Sequence, residues 1–304
     1  MTDSSSGLNA LLFASLGGLD RLYRPSAAAQ ALGLYPYASP QPWGSTMTPD
    51  QYLRQILARE AVDTGVFSPA RQVQATLQYA INVWANRFLL SVTPSGSFAK
   101  GTANLSGTDI DLFISVHQDT PETLADVYNT LDNRLRQSGY VTRRQNVSIG
   151  VTVGGQKVDL VPAKRQNALT GDHSLYRSKA GTWTKTNVDT HVALVRNSRR
   201  LEEIRVLKLW RDQHGLDFPS FYLELTVIES LGTTLLTSEP YGDLANNVWK
   251  VLQYLRDRFA DRRVMDPANT NNVISDDLTS AEKGAIKAAA AKSLAATNWN
   301  QIVV

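Results

Sequence analysis

Residues 96–111 read GSFAKGTANLSGTDID. This stretch predicts a turn followed by a strand that carries acidic side chains. A turn at Gly96-Ser97 precedes Asp109 and Asp111, which stand two residues apart at the start of an apolar segment. Residues two apart in a strand point to the same face, so both carboxylates are expected on one face of a sheet. Carboxylates this close repel each other unless a cation compensates their charge.

A third carboxylate occurs in a second apolar stretch, KVDLV at 157–161, which contains Asp159. If neighbouring strands bring Asp109, Asp111 and Asp159 together, their repulsion predicts a metal site. Mg²⁺ fits best, because it prefers oxygen ligands and usually takes one or two carboxylates together with substrate phosphates. With two ions, one activates an attacking hydroxyl and the other holds a triphosphate; Mn²⁺ is expected to substitute.

The Gly-Ser turn fits the same chemistry. Gly96 lets the backbone approach a phosphate closely, and the hydroxyl and amide of Ser97 can donate hydrogen bonds to it. The turn is not a Walker loop, because G-x-x-x-x-G-K-[ST] does not occur in the chain. Taken singly, a Gly-Ser pair is an ordinary turn and Asp-x-Asp is a solvated strand face. The ordered set of turn, Asp-x-Asp strand and lone strand aspartate indicates a nucleotide site.

The wider pattern predicts an α+β protein with two lobes and a cleft between them. Residues 1–45, rich in Ser, Gly, Ala and Pro, are predicted to form an N-terminal arm. A mixed-sheet lobe is predicted over 46–185, with helices at 48–62, 68–90 and 121–139 and strands at 108–116, 146–155 and 156–163. A helical lobe is predicted over 186–304, with helices at 187–215, 219–232, 241–259 and 278–297.

Composition describes a globular protein of 304 residues, 42% hydrophobic and 19% charged. The net charge of +3 is too small to argue for nucleic-acid binding, although basic pairs such as Arg143-Arg144 leave a polyphosphate partner open. The chain has no cysteine, which excludes disulfides and thiolate metal sites. No apolar run reaches the roughly 18 residues of a membrane span, and the N-terminus lacks the basic flank of a signal peptide, so a cytoplasmic monomer with no membrane partner is expected.

Beyond these patterns, the chain resembles the DNA polymerase β-like nucleotidyltransferases, which carry a Gly-Ser turn, a spacer, Asp-x-Asp and a third Asp on a later strand. The matching segment is SGSFAKGTANLSGTDIDLFI at 95–114. Three downstream segments resemble the C-terminal lobe of oligoadenylate synthetases and of the bacterial cGAS/DncV-like nucleotidyltransferases (CD-NTases). They are RVLKLWRD at 205–212, PSFYLELTVIESL at 219–231 and VMDPANTNNV at 264–273, and the resemblance runs from about residue 70 to 300.

The resemblance implies a reaction in which a ribose hydroxyl attacks the α-phosphate of a donor NTP, such as ATP, and pyrophosphate leaves. It implies that Asp109, Asp111 and Asp159 hold two magnesium ions and that Asp159 helps to deprotonate the hydroxyl. The CD-NTase branch further implies a second round that closes a cyclic di- or trinucleotide. Such a product is a second messenger, read by a downstream effector in anti-phage defence (CBASS).

The resemblance also implies nucleotide-binding roles. Gly96, Ser97, Lys208 and Ser220 would bind the donor triphosphate. Phe221 would stack on the donor base, as a phenylalanine where relatives often have tyrosine. From the residues alone, Lys208 is read as an exposed helix lysine, while Ser220 could be a helix start and Phe221 part of the core.

Two other functions stay open at this point. A linear polymerase, either oligoadenylate synthetase-like or tRNA CCA-adding-like, carries the same signature, and so does a catalytically inactive nucleotide-binding module. The segment 266–269, Asp-Pro-Ala-Asn, is predicted to be a polar turn that packs the lobes together. The histidines show no metal-ligand spacing and are expected to be structural or exposed, and no Cys/His cluster like that of the animal DNA sensor of this branch is present.

Overall fold

The structure, a computed structural model, describes residues 47–107, 109–232 and 243–304. Contacts divide the chain into two compact units, 1–47 and 48–304, and every described helix and strand belongs to the second unit. The arm predicted for residues 1–45 lies outside the described residues. The lobe boundaries at 46–185 and 186–304 stay a prediction.

Helices and strands alternate in the first part of this unit. In chain order they are α1 (Pro49–Arg59), α2 (Pro69–Ala85), β1 (Leu89–Pro94), α3 (Gly96–Lys100), β2 (Ile110–Val116), α4 (Leu124–Gln137), β3 (Arg143–Arg144), β4 (Ile149–Val153), β5 (Gln156–Arg165), β6 (His173–Arg177) and β7 (Thr182–Thr186). The strands form one mixed sheet in the order β1-β2-β5-β4-β3, with β6 pairing with β5 and β7 with β6. The β2–β5 pair is parallel and the other pairings are antiparallel.

Strand β2 forms the centre of the sheet core. Its alternating residues Ile110, Leu112 and Ile114 have no exposed surface and pack with apolar residues of α2 and α4. Burying one such side chain stabilises the fold by about 1.5–3 kcal/mol. The period-two pattern read from the sequence therefore places the apolar face of β2 correctly, and the predicted α+β class is confirmed.

The second part of the unit is mainly helical. Its elements are α5 (Val188–Asn197), α6 (Leu201–Gln213), α7 (Ser220–Leu231), α8 (Leu244–Asp257), the hairpin β8 (Met265–Asp266) and β9 (Asn269–Val273), and α9 (Ser280–Leu294). A capping box begins α9, since the Thr279 hydroxyl accepts a hydrogen bond from Glu282 N and the Thr279 amide donates to Glu282 Oε2. Within the described ranges, none of the helices is both long and apolar enough to pass through a membrane.

Helix α1 packs with these C-terminal helices. Its residues Leu53, Ile56 and Leu57 belong to the same buried cluster as Trp210 of α6 and Tyr222 of α7. Contacts over such a sequence separation leave no trace in local periodicity, which records only that α1 has an apolar face. The first helix of the unit therefore contributes to the helical core and not to the sheet core.

The long helix predicted over 187–215 is wrong, because the structure has two helices there. Arg199 has φ +58°, a left-handed conformation that no residue adopts within a right-handed helix. The Ser198 hydroxyl donates to Val195 O at 2.6 Å and accepts from Arg200 N at 3.2 Å. Such local side-chain bonds compete with helix continuation, so α5 ends here and α6 begins at Leu201.

The helix predicted over 68–90 is also too long. It ends at Ala85, and Asn86 has φ +48°, which asparagine tolerates better than most residues. Leu89 then begins β1. A short apolar run such as FLLSV fits a helix or a strand equally well, and only pairing with β2 settles it. Strands β6 and β7 were not predicted, because polar residues interrupt their alternation.

Candidate active site

Asp111 and Asp159 are direct neighbours across the parallel β2–β5 pair. Their Cα positions are opposite each other in the register, so both side chains lie on the same face of the sheet. Asp109 lies immediately before β2 and is exposed. Two apolar strands thus bring together carboxylates that are 48 residues apart in the chain.

The Gly-Ser pair forms the first turn of the short helix α3, beside Asp111. Gly96 has φ +55°, and a Cβ built on it would lie 1.7 Å from Asp111 Oδ2. Ser95 N donates to the backbone carbonyl of Asp111 at 2.8 Å, which holds the two segments together. No side chain larger than hydrogen fits at position 96 while Asp111 keeps this place. The glycine therefore serves close approach to the carboxylate itself.

The acidic residues raise each other's proton affinity. Burial and the neighbouring charge of Asp159 raise the pKa of Asp111 to about 7. Burial also raises the pKa of Asp159, although Gln145 Nε2 donates to its Oδ1 at 2.7 Å and Arg143 Nη2 lies 3.6 Å from the same atom. A cation at this place would lower both pKa values and relieve the repulsion.

These carboxylates fit a divalent cation whose coordination is completed by a substrate. In the described part of the chain, no three aspartate, glutamate, histidine or cysteine side chains are close enough to hold an ion on their own. Mg²⁺ usually takes only one or two carboxylates and fills its shell with phosphate oxygens and water. The adjacent pair Asp111 and Asp159, with Asp109 beside it, suits that mode of binding.

Three of the predicted triphosphate-binding residues meet in one pocket. Ser97 of α3, Lys208 of α6 and Ser220 of α7 line the same open pocket. Its other lining residues are Thr102, Asn104, Gly107, Arg211 and Asp212. The pocket therefore forms where the short helix after β1 meets the helical part of the unit.

Lys208 is not the exposed helix lysine that the sequence also allowed. It is 5% exposed, and its ammonium donates to Glu224 Oε1 at 2.7 Å and to Thr102 Oγ1 at 2.9 Å. Lys100 Nζ donates to the other carboxylate oxygen of Glu224 at 2.8 Å. Burial lowers the pKa of Lys208, and the Glu224 charge opposes this effect.

Phe221 is half-buried at the start of α7 and is not among the pocket-lining residues. Lys100 Nζ lies 4.3 Å from its ring centroid, and the His191 ring lies 4.3 Å away at an interplanar angle of 42°. The ring thus has a cation and an imidazole as neighbours. Its predicted role in stacking on a base stays a prediction.

Arg211 was not predicted from the sequence, although its side chain donates to Ser220 Oγ at 2.8 Å and to Asp212 Oδ1 at 2.7 Å. Arg211 follows Lys208 by three residues, so helical spacing placed both on one face of α6 and could have revealed it. Glu224 was missed as well, although it follows Ser220 by four residues on α7. The sequence did show a glutamate among apolar neighbours, and a glutamate is rarely fully buried unless it is paired.

The segment 266–269 joins the hairpin β8–β9 to other elements, as the predicted packing role requires. Asp266 accepts from Ala268 N at 2.9 Å and from Asn272 Nδ2 at 3.2 Å, and its Oδ1 lies 2.7 Å from His191 Nε2. Asn269 Nδ2 donates to Lys185 O of β7 at 3.2 Å. These bonds tie the hairpin to α5 and to the sheet.

No protein-family model matches the chain. Among curated proteins, the chain is 26% identical over 181 residues to the cyclic AMP-AMP-AMP synthase of Escherichia coli (strain MS 115-1). That match covers 53% of this chain and 56% of the relative. The chain thus spans about half the length of the curated relative that it matches.

The similar solved structures include bacterial enzymes with bound nucleotides. E. coli MS115-1 CdnC with ATP has a TM-score of 0.65 at 20% identity, covering 82% of this chain and 91% of that one. The Bradyrhizobium diazoefficiens CD-NTase CdnG with GTP has a TM-score of 0.63 at 13% identity, covering 83% and 94%. The chain has the CD-NTase fold. The predicted resemblance is therefore confirmed in the fold, and the Asp-x-Asp strand and the Gly-Ser helix are parts of it.

The same fold extends to a linear polymerase. The Cid1 poly(U) polymerase bound to MgATP has a TM-score of 0.60 at 12% identity, covering 81% of this chain and 93% of that one. At such identities the likeness concerns the fold alone.

Proposed function

We propose that the chain is a metal-dependent nucleotidyltransferase that joins NTPs, releases pyrophosphate and closes a cyclic di- or trinucleotide. The observation that carries the proposal is the pairing of Asp111 with Asp159 beside a pocket lined by Ser97, Lys208 and Ser220. Carboxylates on one side and donors for phosphate on the other are the two halves of a phosphoryl-transfer site.

In this proposal the pocket holds the donor triphosphate. The Ser97 and Ser220 hydroxyls are hydrogen-bond donors for phosphate oxygens, while Lys208 and Arg211 supply positive charge. Gly96 keeps the backbone of α3 against Asp111, so that a phosphate bound by Ser97 would lie beside the carboxylates. The protein acts mainly by holding the reactants in line and by balancing charge.

Asp109, Asp111 and Asp159 would hold the divalent ions, which would neutralise phosphate charge and favour ionisation of the attacking hydroxyl. The oxygen of the ribose hydroxyl bonds to the α-phosphorus of the donor, and Asp159 accepts the proton of that hydroxyl. The bond from that phosphorus to the bridging oxygen of the pyrophosphate breaks, and pyrophosphate leaves. Burial raises the pKa of Asp159 and a bound cation would lower it, so the two act in opposite directions on its strength as a proton acceptor.

Cyclic product formation is supported by the curated relative, a cyclic AMP-AMP-AMP synthase. In this proposal ATP is a substrate, the product is a second messenger for a downstream effector, and the biological setting is anti-phage defence (CBASS). Its test is incubation with the four NTPs and Mg²⁺ or Mn²⁺, followed by phosphatase treatment and mass spectrometry. A phosphatase-resistant oligonucleotide with no terminal phosphate is expected.

The second candidate is a linear polymerase, which the likeness to the Cid1 poly(U) polymerase supports. The same experiment separates the two functions, because linear 5′-triphosphate products lose their terminal phosphates to phosphatase. An inactive nucleotide-binding module would bind a non-hydrolysable NTP in a calorimeter but release no pyrophosphate from any NTP. That last result would contradict both enzymatic functions.

A further inference from the structure

Two buried lysines share one buried glutamate behind the triphosphate pocket. Lys100 Nζ lies 2.8 Å from Glu224 Oε2, and Lys208 Nζ lies 2.7 Å from Glu224 Oε1. The Thr102 hydroxyl donates to Oε1 at 2.9 Å and accepts from Lys208. Lys100 is 8% exposed, Lys208 5% and Glu224 1%. The cluster therefore contains two cations and one anion away from water.

The lysines differ in their relation to the pocket. Lys208 is a lining residue, whereas Lys100 contacts the far oxygen of Glu224 and does not line the pocket. The other cation of the lining, Arg211, is paired one-to-one with Asp212 at 2.7 Å. Among the described lining residues, Lys208 therefore supplies the net positive charge that would act on a triphosphate. The size of this charge depends on how far Lys100 also neutralises Glu224.

Burying unbalanced charge destabilises the fold, because each ion loses its hydration free energy and pairing recovers only part of it. Burial alone would raise the pKa of Glu224, but Lys208 and Lys100 hold it below its usual range, so the glutamate stays ionised. One lysine would suffice to balance it. The second lysine gives the cluster a surplus positive charge, which acts on Asp111, whose pKa both lysines lower, and would act on an anionic ligand in the pocket.

We propose that Lys100 is a positioning residue of this pocket: it neutralises Glu224 from behind and so keeps the positive charge of Lys208 available to the phosphates of the donor. This rests on the NTP-binding part of the proposed function. Lys100 lies at the end of α3, and the first turn of α3 carries Gly96 and Ser97. The same short helix therefore supplies the Ser97 hydroxyl, a hydrogen-bond donor for phosphate, and the lysine that neutralises Glu224.

The test compares ligands with and without phosphates. The α,β-methylene analogues of the four NTPs, which cannot be turned over, are titrated calorimetrically into the wild-type chain, and the tightest binder is compared with its nucleoside. In Lys100→Met the affinity for the analogue is expected to fall about tenfold, the size of one charge acting across a partly buried site. The affinity for the nucleoside should fall much less than that for the analogue, because no phosphate senses the charge, whereas loss of the Lys100 contact with the Phe221 ring acts on both ligands alike.

A double variant separates charge from simple structural support. Lys100→Met with Glu224→Gln removes one charge of each sign and leaves Lys208 as the sole ion of the cluster, which restores the net charge. The affinity for the analogue should then return to within about threefold of wild type. A merely structural role predicts the opposite, since a second lesion in a hydrogen-bonded cluster would weaken binding further.

Lys100→Arg, which keeps the charge, is the matched control and should bind the analogue nearly as the wild type does. If Lys100→Met does not fold, as judged by its thermal melt, Lys100→Gln carries the same comparison. An unchanged ratio of analogue to nucleoside affinity, or no recovery in the double variant, overturns the inference. Analogue binding by the wild type without pyrophosphate release overturns only the proposed activity, and no analogue binding by the folded wild type overturns both.

Discussion

At the scale of single residues, the contact between Gly96 and Asp111 connects the two halves of the signature. The Gly-Ser pair and the Asp-x-Asp strand are read separately from the sequence, as a phosphate turn and a metal-binding face. In the structure a Cβ at position 96 would overlap Asp111 Oδ2 at 1.7 Å. The glycine is thus required by the carboxylate as much as by any phosphate.

Gly96→Ala is therefore expected to displace Asp111 and to reduce product formation by about 100-fold or more, because small misplacements at a reacting centre are costly. The control is Gly155→Ala, at a hairpin turn with φ +81° and no atom within 4 Å of an added Cβ. Both variants carry the strain of a left-handed alanine, about 1 kcal/mol. Pyrophosphate release measured in parallel isolates the contact, and equal losses in both variants would contradict it.

Asp111→Asn is expected to abolish turnover yet to raise the free energy of unfolding of the metal-free protein by about 1–2 kcal/mol. Burial and the Asp159 charge raise the pKa of Asp111 to about 7, so its ionisation opposes folding. The folded state binds this proton more tightly than the unfolded state. The loss of folding stability caused by ionising Asp111 therefore grows as pH rises from about 4 and is complete above about 7. Denaturant melts in EDTA at pH 5 and pH 8 test this; a less stable variant at pH 8 would refute it.

At the scale of elements, the hairpin β8–β9 shows what the motif at 266–269 does. Asp266 draws together the hairpin backbone, Asn272 and His191 of α5. All of these hydrogen bonds involve the Asp266 carboxylate. His191, one of its partners, also contacts the ring of Phe221. A polar turn in the sequence is thus a connector between a hairpin and a helix.

Asp266→Asn is expected to lower the free energy of unfolding by about 2 kcal/mol, since buried partners lose a charged acceptor. Burial raises the pKa of Asp266, but bonds from His191, Ala268 N and Asn272 hold it below its usual range. Its contribution is therefore fully present above about pH 4 and is lost as pH falls through the depressed pKa. Urea melts across pH measure this, with the exposed Asp217→Asn as the control that should remain close to wild type.

At the scale of the whole unit, Arg205 of α6 links parts that are far apart in the chain. Its guanidinium donates to Asn104 Oδ1 at 3.0 Å and to the carbonyls of Leu57 and Glu60 at 2.9 and 2.8 Å. Asn104 lines the candidate pocket, while Leu57 belongs to α1. One side chain thus joins the pocket, the first helix and the helical core.

Arg205→Met is expected to cost about 2 kcal/mol of stability and to weaken NTP binding, because three acceptors lose their donor and the 102–107 loop loses a support. Arg256→Met is the matched control, since the Arg256 side chain is 42% exposed and its ion pair among the described residues is with the adjacent Asp257. Such surface pairs contribute about 0–1 kcal/mol. Thermal melts and nucleotide titration of both variants test the linkage, and equal effects would rule it out.

Three of the seven strands of the sheet, β2, β4 and β5, could be predicted from local pattern. The alternation of Ile110, Leu112 and Ile114 identified β2, and the Gly154-Gly155 turn separated β4 from β5, because a period of two and turn chemistry are local properties. The break at Arg199 could not be predicted. Apolar periodicity continues on both sides of it, and a positive φ in an arginine has no signature in the sequence.

By itself, the sequence determined the α+β class and predicted the chemistry: the spacing of Gly-Ser and Asp-x-Asp is a local pattern, and period-two strands form wherever one face is buried. Only the tertiary structure decided that Asp111 lies opposite Asp159, since strand order and register depend on contacts between distant segments. It also decided that Lys208 is buried against Glu224 and that Lys100 shares this glutamate. Burial and pairing across 124 residues are properties of packing, which no spacing along the chain encodes.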